Sequence, residues 1–167
     1  MNINRGDHVV HPRFGVGTVV SIEVRHFSEA APRLFYRVDF DNTTLWIPVP
    51  IPETGGLRPV TPKSDLSHYR QLLKSSPVPL DNDFRLRKIT LDERLKAGTF
   101  QSLCEVVRDL RARHHVKPLS NYESSLYRQA HDALVNEWAA ANKSSVEEAT
   151  REIESLLHKG SQPLPSS

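Results

Sequence analysis

The sequence predicts an α+β chain in two parts: a small antiparallel β-barrel over residues 1–62 and an all-α helical bundle over residues 63–160, with a flexible tail at 161–167. Three observations predict it. Up to about residue 60, short runs rich in Val, Ile, Phe, Tyr, Thr and Trp alternate with turn-forming residues. Beyond that point apolar residues recur at helical spacing behind capping residues. Gly55-Gly56-Leu57-Arg58-Pro59 separates the two textures.

Strands are expected at 8–11, 17–27, 33–40 and 43–49. Gly15 and Gly17 fall where the first strand must turn into the second, and Asp41-Asn42 can tighten the turn between the third and fourth. Asp39 and Asp41 are assigned to that turn. Four short strands with tight turns suggest an SH3-like barrel. Pro48, Pro50 and Pro52 interrupt the fourth strand, and proline cannot donate a ladder hydrogen bond, so this strand belongs at a sheet edge. Leu45-Trp46-Ile47 then forms a short apolar edge that a partner strand could extend. Trp46 has two readings at this point, core or partner-facing.

In the second part, Ser64 or Asp65 can cap a helix to about Lys74, which Ser75-Ser76-Pro77-Val78-Pro79 breaks. Phe84, Leu86, Ile89, Leu91 and Leu95 fit a helix that follows Asp81–Asp83 and ends at Gly98, a residue suited to a left-handed cap. Thr99 caps the next helix, where Phe100, Leu103, Cys104, Val107 and Leu110 make an apolar stripe that ends before Lys117-Pro118. Ser120 and Glu123 form a capping box for a helix to about Ala141. Ser144-Ser145-Val146-Glu147 repeats the pattern before a last helix through Leu157.

Charge is uneven although the formal net charge is only +2: from Arg85 to Lys117 there are nine Lys/Arg against four Asp/Glu, and the balance turns acidic after Pro118. That centre suits phosphate contact, or else is a solvated helix face. No apolar run approaches the roughly 20 residues of a membrane helix, and residues 1–5 do not resemble a signal peptide, so a cytoplasmic protein is expected. Cys104 stands alone and is read as a core residue. The eight histidines show no metal-ligand spacing, and no GxSxG, phosphate loop or dinucleotide fingerprint occurs. No enzyme activity, metal, cofactor or small-molecule substrate is expected.

Gly6-Asp7-x-Val9-Val10-His11-Pro12-x-x-Gly15-Val16-Gly17 resembles the opening of the CarD/CdnL family of bacterial transcription regulators. Ile47-Pro48-Val49, Gly56-Leu57-Arg58, Leu95-x-x-Gly98, Glu105-Val106-Val107-Arg108-Asp109-Leu110 and Leu119-Ser120-x-x-Glu123 extend the resemblance in order, over about residues 4–157. The opening motif is shared with a domain of transcription-repair coupling factors; the helical signatures distinguish the family.

The resemblance implies a Tudor-like N-terminal domain that binds the RNA polymerase β subunit and a helical domain that contacts promoter DNA at the upstream edge of the bubble. It implies a polymerase surface at Arg25, Leu45, Trp46, Ile47 and Pro48, and DNA contacts from Phe84, Arg85, Arg87 and Lys88. Two positions depart from the family. Trp46 stands where some relatives have a basic residue, and Phe84 stands where the family commonly has a wedge Trp. The implied protein stabilises the open promoter complex with little sequence specificity and joins the nucleoid through polymerase. A competing reading is an adaptor whose helices bind a second protein instead of DNA.

Overall fold

The computed structural model describes residues 3–52 and 56–161. The chain divides into two compact units, Met1–Val60 and Thr61–Ser167. Thr61 joins the helical unit because Glu137 accepts hydrogen bonds from its backbone N–H (3.0 Å) and its hydroxyl (2.6 Å).

The first unit is a five-stranded antiparallel sheet with strands β1 (His8–His11), β2 (Gly15–Arg25), β3 (Arg33–Phe40), β4 (Thr43–Pro48) and β5 (Arg58–Pro59), in the order β4-β3-β2-β1-β5. The short strand β5 was not anticipated. With β4 and β5 at opposite edges and no ladder joining them among the described residues, the expected barrel is not closed. One face carries the core, where Val9, Val19, Val38 and Phe40 pack with Ile3, Leu45, Ile47 and Leu57.

The two glycines of the first hairpin have different roles. Gly15 has a φ of +77°, a left-handed conformation that costs glycine nothing. Gly17 is instead a close-packing position, because a Cβ there would lie 2.6 Å from the Phe40 ring and 2.9 Å from Val38. Asp41-Asn42 makes the two-residue β3–β4 turn, but Asp39 belongs to β3, where it accepts a hydrogen bond from the Thr44 hydroxyl across the strand pair (2.8 Å).

The second unit has five helices: α1 (Leu66–Lys74), α2 (Phe84–Ala97), α3 (Phe100–Val116), α4 (Asn121–Asn142) and α5 (Val146–Ser161). A 3-10 turn at Lys63–Asp65 leads into α1, and Asp65 makes no side-chain cap. Asp83, Thr99 and Ser120 cap α2, α3 and α4, and Gly98 ends α2 at φ +66°. The cap of α5 lies one residue later than the sequence pattern suggested, since Ser145 accepts from the N–H of Glu148. That helix also outlasts Leu157: at Gly160 a Cβ would meet the Leu73 and Lys74 carbonyl oxygens at 2.9 Å, so glycine lets its last turn approach the end of α1. Ser161 is therefore helical, and the rest of the expected tail lies outside the described residues.

Leu66, Leu73, Leu91, Leu110, Leu134, Trp138 and Ile153 are fully buried at the centre of the helices. The Trp138 indole N–H donates to Glu152, which also holds Arg70. Cys104 is fully buried there, and burial pushes its thiol far above the ordinary range, leaving it inert. None of the helices is long and apolar enough to cross a membrane among the described residues.

Candidate functional site

Two surfaces carry the residues singled out by the sequence, one in each unit. On the sheet, successive side chains of β3 and β4 alternate between faces. Leu45 and Ile47 turn into the core, while Trp46 and Pro48 lie on the opposite face beside Arg37 and Phe35, their register partners on β3. The Arg25 guanidinium lies 4.2 Å from the Trp46 ring centroid and that of Arg37 5.8 Å from it. Phe27 meets Phe35 edge to face at 5.0 Å and Trp46 at 6.4 Å. The result is a half-exposed aromatic surface interleaved with arginines, a suitable arrangement for cation–π contact.

Of the five positions expected to meet a partner, the structure gathers Arg25, Trp46 and Pro48 on this face and turns the side chains of Leu45 and Ile47 inward. Those two can meet a partner only through the strand edge that they help to hold. Phe27, Phe35 and Arg37 complete the face and were missed, although the alternation Arg33-x-Phe35-x-Arg37 signals one.

The backbone of β4 adds a second feature. The Val49 N–H donates to the Leu34 carbonyl at 3.0 Å, and Ile47 pairs with Tyr36. By the two-residue alternation of an antiparallel ladder, Thr44 and Trp46 direct their N–H and C=O groups away from β3. This outer edge can receive another strand over a short length before Pro48, which has no N–H, ends the donor series.

The second surface is the start of α2. Asp83 folds its carboxylate over the helix end, accepting from the N–H groups of Arg85 (2.8 Å) and Leu86 (3.3 Å). Phe84, the first helical residue, is 44% exposed, and Leu86 and Ile89 are also exposed. The expected apolar stripe of this helix therefore turns only Leu91 and, in part, Leu95 inward. Arg85 is exposed and makes no ion pair among the described residues. Lys88 is exposed but pairs with Asp92 at 2.8 Å, and this hydrogen bond raises its pKa. Asp92 also accepts from the Tyr122 hydroxyl.

Arg87 departs from expectation. Only 6% exposed, it donates to Glu123 at 2.6 Å and to the Asp81 and Asn82 carbonyls at 3.1 and 3.0 Å. Its charge is paired inside the protein and its Nε and Nη1 donors are engaged there, so its burial argues against a direct phosphate contact. Its guanidinium lies 5.6 Å from the Phe84 ring centroid, and its bonds tie the segment before α2 to the cap of α4. Arg94 and Arg108 are likewise consumed by the buried Asp109. Three of the nine cations in the basic centre read from the sequence, Arg87, Arg94 and Arg108, are thus held by buried carboxylates, and no group of three or more potential metal ligands occurs among the described residues.

Comparison with known proteins follows the same division. Residues 3–61 match the family described as the CarD-like/TRCF RID domain, and residues 70–154 match the CarD, C-terminal domain. The Bacillus subtilis (strain 168) protein named "Putative transcription factor YdeB" is 28% identical over 133 residues, which cover 79% of this chain and 87% of that protein. Together the two matches take in the sheet unit and most of the helical unit in order, and on that ground the chain belongs to the CarD-like family of transcription factors.

Proposed function

We propose that the protein binds the β subunit of RNA polymerase through β4 and the Arg25–Trp46–Pro48 face, and that its helical unit engages promoter DNA at the upstream edge of the melted region, favouring the open complex. The RID match over the sheet unit supports the first half, together with an edge strand whose short outer backbone pairs with no other strand among the described residues and lies next to an arginine-aromatic face. The observation that carries the second half is the exposed Phe84 ring in the first turn of α2, beside the exposed Arg85, which makes no ion pair among the described residues. An aromatic side chain in this position can insert at an unstacked base step. Arg85 supplies the adjoining phosphate contact, and Lys88 joins it by exchanging Asp92 for phosphate.

Electrostatics makes the DNA contact weak by itself. Asp83 already satisfies the helix N-terminus, which is therefore not an anion site, and Asp81 stands close by. Attachment to polymerase offsets this weakness by raising the effective concentration of the helical unit at the promoter. A wedge that fits the splayed junction better than intact duplex then shifts the equilibrium toward the open state by that difference in affinity. Sequence-specific reading is not part of this mechanism.

The test is the lifetime of open complexes formed by the cognate polymerase with no addition, with the wild-type protein and with Phe84→Ala. Wild type lengthens the lifetime, while Phe84→Ala binds polymerase equally and does not. Equal lengthening by both proteins overturns the wedge; no effect of either, with polymerase still bound, favours an adaptor whose helices engage another protein.

A further inference from the structure

We propose that the cleft between the C-terminal half of α3 and the N-terminal half of α4 binds a small phosphorylated ligand with a flat ring, of the nucleotide class. The cleft has a volume of about 420 Å³ and is lined chiefly by Arg111, His114, His115, Tyr127, Arg128 and His131. Small-molecule sites commonly enclose about 300–1,000 Å³. No carboxylate lines this one among the described residues. Glu154 of α5 is the acid that holds its wall, accepting a hydrogen bond from Arg111 and lying 3.1 Å from His131 Nε2.

Arg128 gives the cleft a permanent positive charge, while Arg111 is paired with Glu154. Arg111, held by Glu154, forms part of the wall. Arg128 is exposed and makes no ion pair among the described residues. The Arg128 fork suits the paired oxygens of phosphate, and His114 and His115 add ring nitrogens beside it. For the ring of a ligand, Tyr127 and His131 offer aromatic faces, with ring centroids 5.7 Å apart and planes tilted by 32°. Burial raises the Tyr127 hydroxyl above the ordinary phenol range, so it remains a neutral donor at physiological pH. A concave site with aromatic walls suits a small molecule. None of the lining residues belongs to α2, so the site is independent of the Phe84 surface.

The test follows the amide and imidazole NMR signals of the full chain, at fixed pH and ionic strength, during titration with ADP, with inorganic pyrophosphate and with a short DNA duplex. ADP is expected to saturate signals of α3 and α4 and to bind about tenfold tighter than pyrophosphate, since a stacked base adds affinity of that order. Arg128→Glu, at an exposed position that leaves the fold intact, weakens both ligands at least about tenfold. Tyr127→Leu weakens ADP while sparing pyrophosphate. The proposal is overturned if ADP gives no saturable change, if the changes map elsewhere, if pyrophosphate binds as tightly as ADP, or if the duplex alone saturates the cleft.

Discussion

Arg87 and Glu123 form a buried ion pair at 2.6 Å, between the first turn of α2 and the capping box of α4, with side chains 8% and 2% exposed. Glu123 serves two elements at once: one carboxylate oxygen accepts from Arg87, and the other accepts from the Ser120 backbone N–H. Thirty-six residues of chain separate the partners. Through Arg87 the cap of one helix fixes the entry to another, and Phe84 stands at that entry.

Removing one partner leaves the other charge buried and unpaired. Arg87→Ala is expected to lower stability by about 3–5 kcal/mol in urea unfolding, far more than an exposed arginine would. Arg87→Met with Glu123→Leu recovers most of that loss, while the segment around Phe84 loses amide protection because Asp81 and Asn82 no longer hold a guanidinium. Equal destabilisation by Arg85→Ala and Arg87→Ala would contradict the burial difference on which the assignment of Arg87 rests.

The neighbours Leu45 and Trp46 face opposite sides of β4, so the proposed polymerase contact separates folding from recognition between them. Leu45→Ala removes packing from the sheet core and is expected to cost about 2 kcal/mol. Trp46→Ala costs less in thermal unfolding but weakens polymerase binding about tenfold, as expected of an aromatic anchor. The reverse pattern would place the interface on the other face.

Gly17 has no room for a side chain. Gly17→Ala drives a methyl into Phe40 and Val38, with an expected loss of about 1–3 kcal/mol in chemical denaturation. Gly15→Ala meets no atom within 4 Å and is opposed only by its positive φ, a penalty of about 1 kcal/mol.

Acid should loosen the joint between α3, α4 and α5. Burial would raise the pKa of Glu154, but its bonds from Arg111 and His131 outweigh that and hold the carboxyl below the ordinary range. A carboxylate depressed in the folded state contributes stability above its unfolded pKa and loses it as pH falls through the folded value. Unfolding followed against pH should therefore show a decline below the ordinary carboxylate range, and Glu154→Gln should flatten it.

By itself the sequence determined the elements and their punctuation. Asp83, Thr99, Ser120 and Gly98 mark helix ends through bonds spanning two or three residues, and the prolines from the end of β4 onward put that strand at an edge for lack of an N–H. Such signals are short-range, so they survive in one dimension. The open sheet, the short β5 and the packing role of Gly17 were decided by pairings between distant residues. So was the direction of each side chain at the candidate sites. Arg85, Arg87 and Lys88 look alike as a basic run beside Phe84, yet only the fold brings Glu123 against Arg87 and leaves Arg85 in solvent. Leu45, Trp46 and Ile47 likewise read as one apolar patch until β3 and the core beneath it give them opposite faces. The physical reason is that burial and ion pairing belong to whatever surrounds a residue after folding, and that environment is assembled from remote parts of the chain.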